Sequence, residues 1–307
     1  MFNRRSIVVG RIIVVLFLIF YCGCSKNEQK TKTQKEQFKL PSLLLETSWL
    51  KENLQNKNIL ILDARTKKEY LEDHIPGAIS FPVLELNSKA PGEEKNLKNI
   101  LQINELFSLK GISNDKAIVI YADNHMRTAS RLFWALELHG HQNTGILNGG
   151  FSGWLSSSYP VEKKENLPQR SQFVTRHTGS VVDKIEVNRA LKKEDVIIVD
   201  SRSKSEYEGK KSKGKRKGHI PTAELFSASS SFSSNENGCF MKDVDELKSL
   251  YSSIDKSKKV YLYCNSGRSA TVNYLAMRLL GIDAAVYDGS WLEWSADEKL
   301  PVSTEVE

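Results

Sequence analysis

The body of this chain is written twice. Ile59-Leu60-Ile61-Leu62-Asp63-Ala64-Arg65 returns as Val196-Ile197-Ile198-Val199-Asp200-Ser201-Arg202. His74-Ile75-Pro76-Gly77-Ala78 returns as His219-Ile220-Pro221-Thr222-Ala223, and Gly149-Gly150-Phe151-Ser152-Gly153-Trp154 as Asp288-Gly289-Ser290-Trp291-Leu292-Glu293-Trp294. The offsets are 137 residues from Asp63 to Asp200, 145 from His74 to His219 and 140 from Trp154 to Trp294. Chance does not give three ordered matches at nearly one spacing, so the chain carries two copies of one structural unit. Its 307 residues suit about two domains at roughly 100–200 residues each. The extra length before His219 is a Lys-rich run over 209–218, which reads as an inserted loop.

Inside each copy, short β-branched runs alternate with helical spacing. Residues 59–62, 117–121, 196–199 and 260–263 have the length and apolar continuity of buried parallel strands. Residues 96–109 and 128–139 carry helical spacing, with Gly140 as a stop, and 270–280 followed by Gly281 repeats that pattern. Strands separated by helices predict an α/β fold, each copy a parallel sheet flanked by helices. The predicted bodies are 38–160 and 179–305, joined by a linker over 161–178. At 40% hydrophobic residues, each body has enough apolar surface for an ordinary core.

The first 23 residues do not belong to either copy. They hold Arg4, Arg5 and Arg11, no acid, and an apolar run unbroken only over 12–20. That is short of the roughly 20 residues that span a bilayer and reads as a secretory signal. It ends in Tyr21-Cys22-Gly23-Cys24-Ser25, which resembles a bacterial lipobox with Cys24 as the lipidated residue, although Tyr21 and Cys22 depart from the usual pattern. Residues 24–37 are almost wholly polar and predict a disordered tether. The expectation is a lipid-anchored membrane protein on the periplasmic side of the cell envelope. Ser25 beside Cys24, by resemblance to sorting in enterobacteria, points to the outer membrane. Net charge is +7, or +4 once the signal is set aside, too mild for a nucleic-acid partner without a basic stripe.

The chemistry sits in Tyr263-Cys264-Asn265-Ser266-Gly267-Arg268-Ser269-Ala270, which runs from a strand into a helix. A Cys at the C-terminal end of a parallel strand stands where α/β sheets place their ligands. Amides at the next helix start favour an anion there, and thiolate is the nucleophilic form of Cys. Gly267 permits a positive φ, so that several amides of the loop can face one anion. Ser266 and Ser269 add hydroxyls, and Arg268 adds charge at the rim. Asp200 and Arg202 form either an ion pair that pins the loop or part of the field felt by an anionic substrate. His74 and His219 are read as fixing the turn after the first strand, Trp154, Trp291 and Trp294 as core anchors, and Cys239 as a bystander or a resolving thiol. No two His have ligand spacing with a Cys, so no metal is expected.

These residues together resemble the tandem rhodanese family of thiosulfate and 3-mercaptopyruvate sulfurtransferases, over roughly residues 40 to 303. The marks are Asp200-Ser201-Arg202, Gly218-His219-Ile220-Pro221, the Cys264 loop and Tyr287-Asp288-Gly289-Ser290-Trp291. The resemblance implies two rhodanese-like domains and a persulfide carried on Cys264. It also implies a sulfur donor and a thiophilic acceptor, cyanide or a thiol, with no cofactor. Where mammalian-type relatives carry a substrate-binding Arg soon after the Asp200 motif, this chain has Glu206; Lys215, Arg216 and Lys217 are candidates to replace that charge. An ungapped alignment of Ala129 with Ala270 sets Asp123 opposite Cys264, Asn124 opposite Asn265 and Met126 opposite Gly267. On that alignment the first copy lacks a nucleophile, and Met126 would not curl its loop as Gly does. Two other readings stand: a persulfide carrier or redox sensor without turnover, and a phosphatase, which needs Arg six residues after Cys where this chain has Ala270.

Overall fold

The computed structural model describes residues 37–92, 95–123 and 125–305. The expected signal over 1–23, Cys24 with the tether up to residue 36, and Asn124 lie outside the described residues. In the first copy the strands are β1 (Leu44–Leu45), β2 (Ile59–Asp63), β3 (Ile79–Ser80), β4 (Ala117–Tyr121) and β5 (Thr144–Leu147). Its helices are α1 (Thr47–Asn53), α2 (Lys67–Glu72), α3 (Ile100–Leu109), α4 (Arg127–Leu138) and α5 (Gly150–Ser156). The second copy has β6 (Val181–Val182), β7 (Val196–Asp200), β8 (Glu224–Leu225), β9 (Phe232–Asn235), β10 (Gly238–Met241), β11 (Lys259–Tyr263) and β12 (Ala284–Tyr287). Its helices are α6 (Lys184–Ala190), α7 (Lys204–Tyr207), α8 (Val244–Leu250), α9 (Arg268–Leu280) and α10 (Ser290–Trp294). The two five-stranded sheets have the same order, β1-β5-β4-β2-β3 and β6-β12-β11-β7-β8, with every pairing parallel.

Why the central strands read as unbroken apolar runs is now visible. On β4, Ile118 and Ile120 enter the large core, while Val119 and Tyr121 enter a second apolar layer on the other face. On β11, Val260 and Leu262 enter the same large core, and Tyr261 and Tyr263 the outer layer of the second copy. With both faces covered, every position favours an apolar side chain. The large core draws on both copies, with α4 against α9 at its centre. Around it, Tyr274 and Arg278 of α9 both donate to the Glu137 carboxylate of α4, at 3.0 and 2.9 Å, and Trp134 Nε1–H donates to the Ser180 carbonyl at 2.8 Å.

Helix boundaries follow caps more than periodicity. The helix expected over 96–109 starts at Ile100, because Asn99 and Gln102 form a capping box. That expected over 270–280 begins two residues earlier, at Arg268, and ends as expected at Gly281, whose φ of 69° closes the last turn. Residues 161–178 do not hang between bodies. Glu162 pairs with His74, and Phe173 is buried against the first copy, close to Phe107.

Each copy also extends an arm across to the other. In the second copy β9 and β10 form an antiparallel hairpin whose Met241 N–H donates to Asn148 Oδ1 of the first, at 3.0 Å. In the first copy Asn87 bridges to Leu97, and the Leu97 N–H donates to Asp288 Oδ2 of the second, at 2.8 Å. Asn148 and Asp288 both directly follow the last strand region of their sheets, so the exchange is pseudo-symmetric.

Candidate active site

Cys264 is the residue immediately after β11, and the strand's period of two decides where its thiol goes. Val260, Leu262 and Cys264 share one face, the one that meets the first copy. Its backbone is fixed from the start of α10: the Cys264 carbonyl accepts from Trp291 N–H at 2.9 Å, and the Cys264 N–H donates to Ser290 Oγ at 3.2 Å. The same Ser290 Oγ accepts from the Gly267 N–H at 3.0 Å, and the hydroxyl donates to the Tyr287 carbonyl at 2.7 Å. One buried hydroxyl therefore clasps both ends of the loop. Two of the loop amides are thus spent on Ser290. The N–H groups of Asn265, Ser266, Arg268, Ser269 and Ala270 have no acceptor among the described residues. They are what remains to receive a negative charge.

Gly267 caps α9 in the left-handed region, at φ 75°. A Cβ built there would stand 2.5 Å from Asp288 Oδ1 and 2.6 Å from Arg131 Nη1, so both conformation and space demand glycine. Arg131 comes from α4 of the first copy, is 1% exposed, and forms an ion pair with Asp288. The Arg268 guanidinium, half-buried, makes no hydrogen bond or ion pair among the described residues. Burial first, and the guanidinium of Arg131 second, lower its pKa, while Cys264 acts in the opposite direction.

Asp200 and Arg202 are both fully buried and paired at 2.6 Å; Tyr263 OH also donates to Asp200, at 2.6 Å. Arg202 reaches the Gly218 carbonyl at 2.8 Å and stacks 4.5 Å from the Trp291 ring centroid. Arg65 repeats this arrangement in the first copy, bonding Asp63 at 2.7 Å, with Tyr121 OH donating to Asp63 at 2.7 Å. His219 stacks on Tyr207 with ring centroids 3.8 Å apart, and His74 does the same on Tyr70. Trp154, Trp291 and Trp294 are fully buried. Of the inserted basic run, Arg216 does not face the site: its guanidinium donates to the carbonyls of Trp294, Ser295, Asp297 and Leu300. Glu206 does reach the loop, with Oε1 accepting from Asn265 Nδ2–H at 2.9 Å. Burial opposes its ionisation, but hydrogen bonds from Ser203 and Asn265 hold its carboxyl below the usual range.

The register also corrects the alignment of the two copies. Tyr121 pairs with Asp63 on its sheet as Tyr263 pairs with Asp200, and Phe151 N–H donates to the Ala122 carbonyl as Trp291 N–H does to that of Cys264. The counterpart of Cys264 is therefore Ala122, not Asp123, and the first loop is one residue longer. Met126 caps α4 at φ 59°, adopting the left-handed form that Gly267 takes. Its side chain is buried in the shared core, which offsets the strain expected to exclude it. Asp123 is held by Ser152, whose N–H and Oγ–H both donate to Oδ1 at 3.0 Å. Gly150 takes the position of Ser290, so the first copy has no clasping hydroxyl.

The structure puts Cys264 and its loop between the end of β11 and the start of α9, as expected; Arg131 had no signal in the sequence, and Asp288 and Ser290 stood there only as parts of a motif. Ser266 opens onto a cleft of about 770 Å³ that Lys95 and Asn96 of the first copy also line, along with Lys184, Leu292 and Lys299. Cys239, on β10, is half-buried; burial pushes its thiol up, a Ser234 hydrogen bond opposes this, and nearby Asp123 adds to the rise. Among the described residues no group of three or more His, Cys, Asp or Glu is arranged to hold a metal ion.

Comparison with known proteins agrees with this geometry. The pattern described as Rhodanese-like domain matches twice, at residues 46–157 and 183–297. Thiosulfate sulfurtransferase of Bos taurus is 31% identical over 275 residues, covering 82% of this chain and 91% of its own. The 3-mercaptopyruvate sulfurtransferase of Escherichia coli is 28% identical over 275 residues, covering 83% and 95%. The solved structure of an anaerobic ergothioneine biosynthesis enzyme from Chlorobium limicola shares the fold. Its TM-score is 0.76 at 22% identity, covering 86% of this chain and 71% of that one.

Proposed function

This chain belongs to the rhodanese family, with the domain present twice, and is a sulfurtransferase; we propose that it works through a persulfide on Cys264, with thiosulfate or 3-mercaptopyruvate as donor. The observation that carries this is Cys264 at a strand end, backed by a glycine-capped helix start where the N–H groups of Arg268, Ser269 and Ala270 have no acceptor among the described residues. In the first half-reaction the Cys264 thiolate attacks the outer sulfur of the donor. With thiosulfate, the S–S bond breaks and its electron pair leaves with sulfite. With 3-mercaptopyruvate, the C–S bond breaks and the carbon takes a proton to give pyruvate. The outer persulfide sulfur lies among the N–H groups of Asn265, Ser266, Arg268, Ser269 and Ala270, and the Arg268 guanidinium and the Cys264 thiolate act on each other electrostatically. In the second half-reaction cyanide or a thiolate attacks that sulfur, the persulfide bond breaks, and the Cys264 thiolate returns. Asn265, Ser266, Gly267, Arg268 and Ser269 form the cradle; Asp200 and Arg202 hold the strand end from behind.

The phosphatase reading has no support in the loop, since the residue six beyond Cys264 is buried Ala270. A carrier without turnover differs in one respect: it accepts sulfur from a partner but releases little to cyanide. Steady-state rates with each donor and cyanide separate the two and rank the donors. The Glu206–Asn265 contact places a carboxylate beside the loop, and Glu206→Gln is expected to lower KM for both anionic donors.

We also propose that the protein is anchored at the cell envelope through acyl chains on Cys24, on the sequence of residues 1–25. More than one chain is needed for a stable anchor. The mature protein then partitions into detergent, and Cys24→Ala is released or left unprocessed. Recovery of wild type as soluble material with residues 1–23 intact contradicts the proposal.

A further inference from the structure

Besides loop length, cap and clasp, the two loops differ in the charges packed behind them, and the charged side is that of Cys264. Setting the helix caps Met126 and Gly267 in register places Arg131 of α4 opposite Val272 of α9. Asn148 and Asp288, which hold the crossing arms, are likewise counterparts. Around the first loop the corresponding positions are therefore Val272 and Asn148, both uncharged. Around the Cys264 loop they are Arg131 and Asp288, an ion pair contributed by opposite copies.

The pair sits directly behind Gly267, at the contact distances given above. Arg131 Nη2–H also donates to the Lys95 carbonyl at 3.3 Å, and its guanidinium lies 4.8 Å from the Trp134 ring centroid. Asp288 meanwhile accepts the Leu97 N–H through its second oxygen. A carboxylate at this place, left alone, would oppose any anion forming on the sulfur of Cys264. A buried ion pair also contributes little net stability compared with apolar packing of the same volume, and the first loop is built with uncharged residues at both places.

We propose that Arg131 of the first copy is a positioning residue for Cys264, neutralising Asp288 and pressing it against Gly267 so that the loop presents its amides to an anion without the uncompensated charge of Asp288 behind it. This rests on the sulfurtransferase reading of the site for its purpose. It implies that the second copy is incomplete without the first.

The test reads the field at the thiol apart from turnover. Iodoacetate and iodoacetamide alkylate by the same displacement of iodide, but only the first is an anion, so the ratio of their rates on Cys264 reports local charge. The measurement is made on the full chain with Cys239→Ala, so that one described thiol reacts, and the product is located by peptide mass. Arg131→Met is expected to lower the iodoacetate-to-iodoacetamide ratio about fivefold. Arg131→Lys keeps it within about twofold of wild type, and Arg131→Met with Asp288→Asn restores it. kcat/KM for the donor falls and recovers in the same order. An unchanged ratio in folded Arg131→Met, with only stability reduced, overturns the proposal. Should Arg131→Met not fold, Asp288→Asn alone is expected to raise the ratio, and no change there overturns it equally. A wild type that transfers no sulfur but shows these ratio shifts refutes the transferase reading and leaves the role of Arg131 standing.

Discussion

Ser290 Oγ accepts the backbone N–H of Cys264 at 3.2 Å and is itself fully buried. It accepts Gly267 N–H as well, so a single hydroxyl sets the width of the loop that holds the thiol. Ser290→Ala leaves two buried donors without an acceptor, at about 1–3 kcal/mol for such a group. A lower Tm and a fall in kcat larger than any rise in KM are expected. Loss of stability with kcat unchanged would show that the clasp serves the fold alone.

The corrected register makes its own prediction. Ala122→Cys, made in a Cys264→Ser background, puts a thiol at the equivalent place in the first copy. It is expected to transfer no sulfur, because that loop is one residue longer, Gly150 supplies no hydroxyl, and Asp123 stands beside it. Sulfur transfer by this variant above that of Cys264→Ser would mean the surrounding loop matters less than the thiol.

Much of this was legible in the sequence because repetition and buried-strand composition are local properties. The four long strands come out as predicted to within a residue, and the Cys264 loop lies where a strand ends and a helix starts. Arg131 was invisible for a physical reason: it lies 133 residues before Cys264, on a helix of the other copy, and only packing of α4 on α9 brings it to the loop. The β9–β10 hairpin was hidden by its serines, since its pairing is set by contact with the first copy rather than by an apolar pattern. Asp123 was misplaced opposite Cys264 because an ungapped alignment cannot see a one-residue difference in loop length that hydrogen-bond register shows at once.

The Asp200–Arg202 pair is expected to act on stability in both copies alike. Removing one partner of a buried ion pair costs about 3–5 kcal/mol. Asp200→Ala and Asp63→Ala should therefore lower stability to denaturant by similar amounts, although only the former lies near Cys264. Loss of activity in folded Asp200→Ala, with no such loss of stability, would assign it to the substrate field instead.

Acid stability has an identifiable contributor in His141. Burial pushes its pKa down to about 4, and its Nδ1 lies 2.7 Å from Thr144 Oγ1. The unfolded ring takes up a proton near 6.5 and the folded one only near 4. The unfolded state therefore binds more protons within that window. The stability from this residue is fully present above the unfolded value and is lost as pH falls through the window, by up to about 1.4 kcal/mol per pH unit. Urea midpoints for His141→Gln should fall less steeply between those limits than for wild type; parallel curves would contradict this.

The central claim is that sulfur travels on Cys264. Wild type treated with thiosulfate or 3-mercaptopyruvate, then digested without reductant and weighed by mass spectrometry, should show one added sulfur on the peptide containing Cys264. Cyanide should remove it, and Cys264→Ser should remain folded without acquiring it. Sulfur on the Cys239 peptide instead, or transfer retained by Cys264→Ser, would contradict the account.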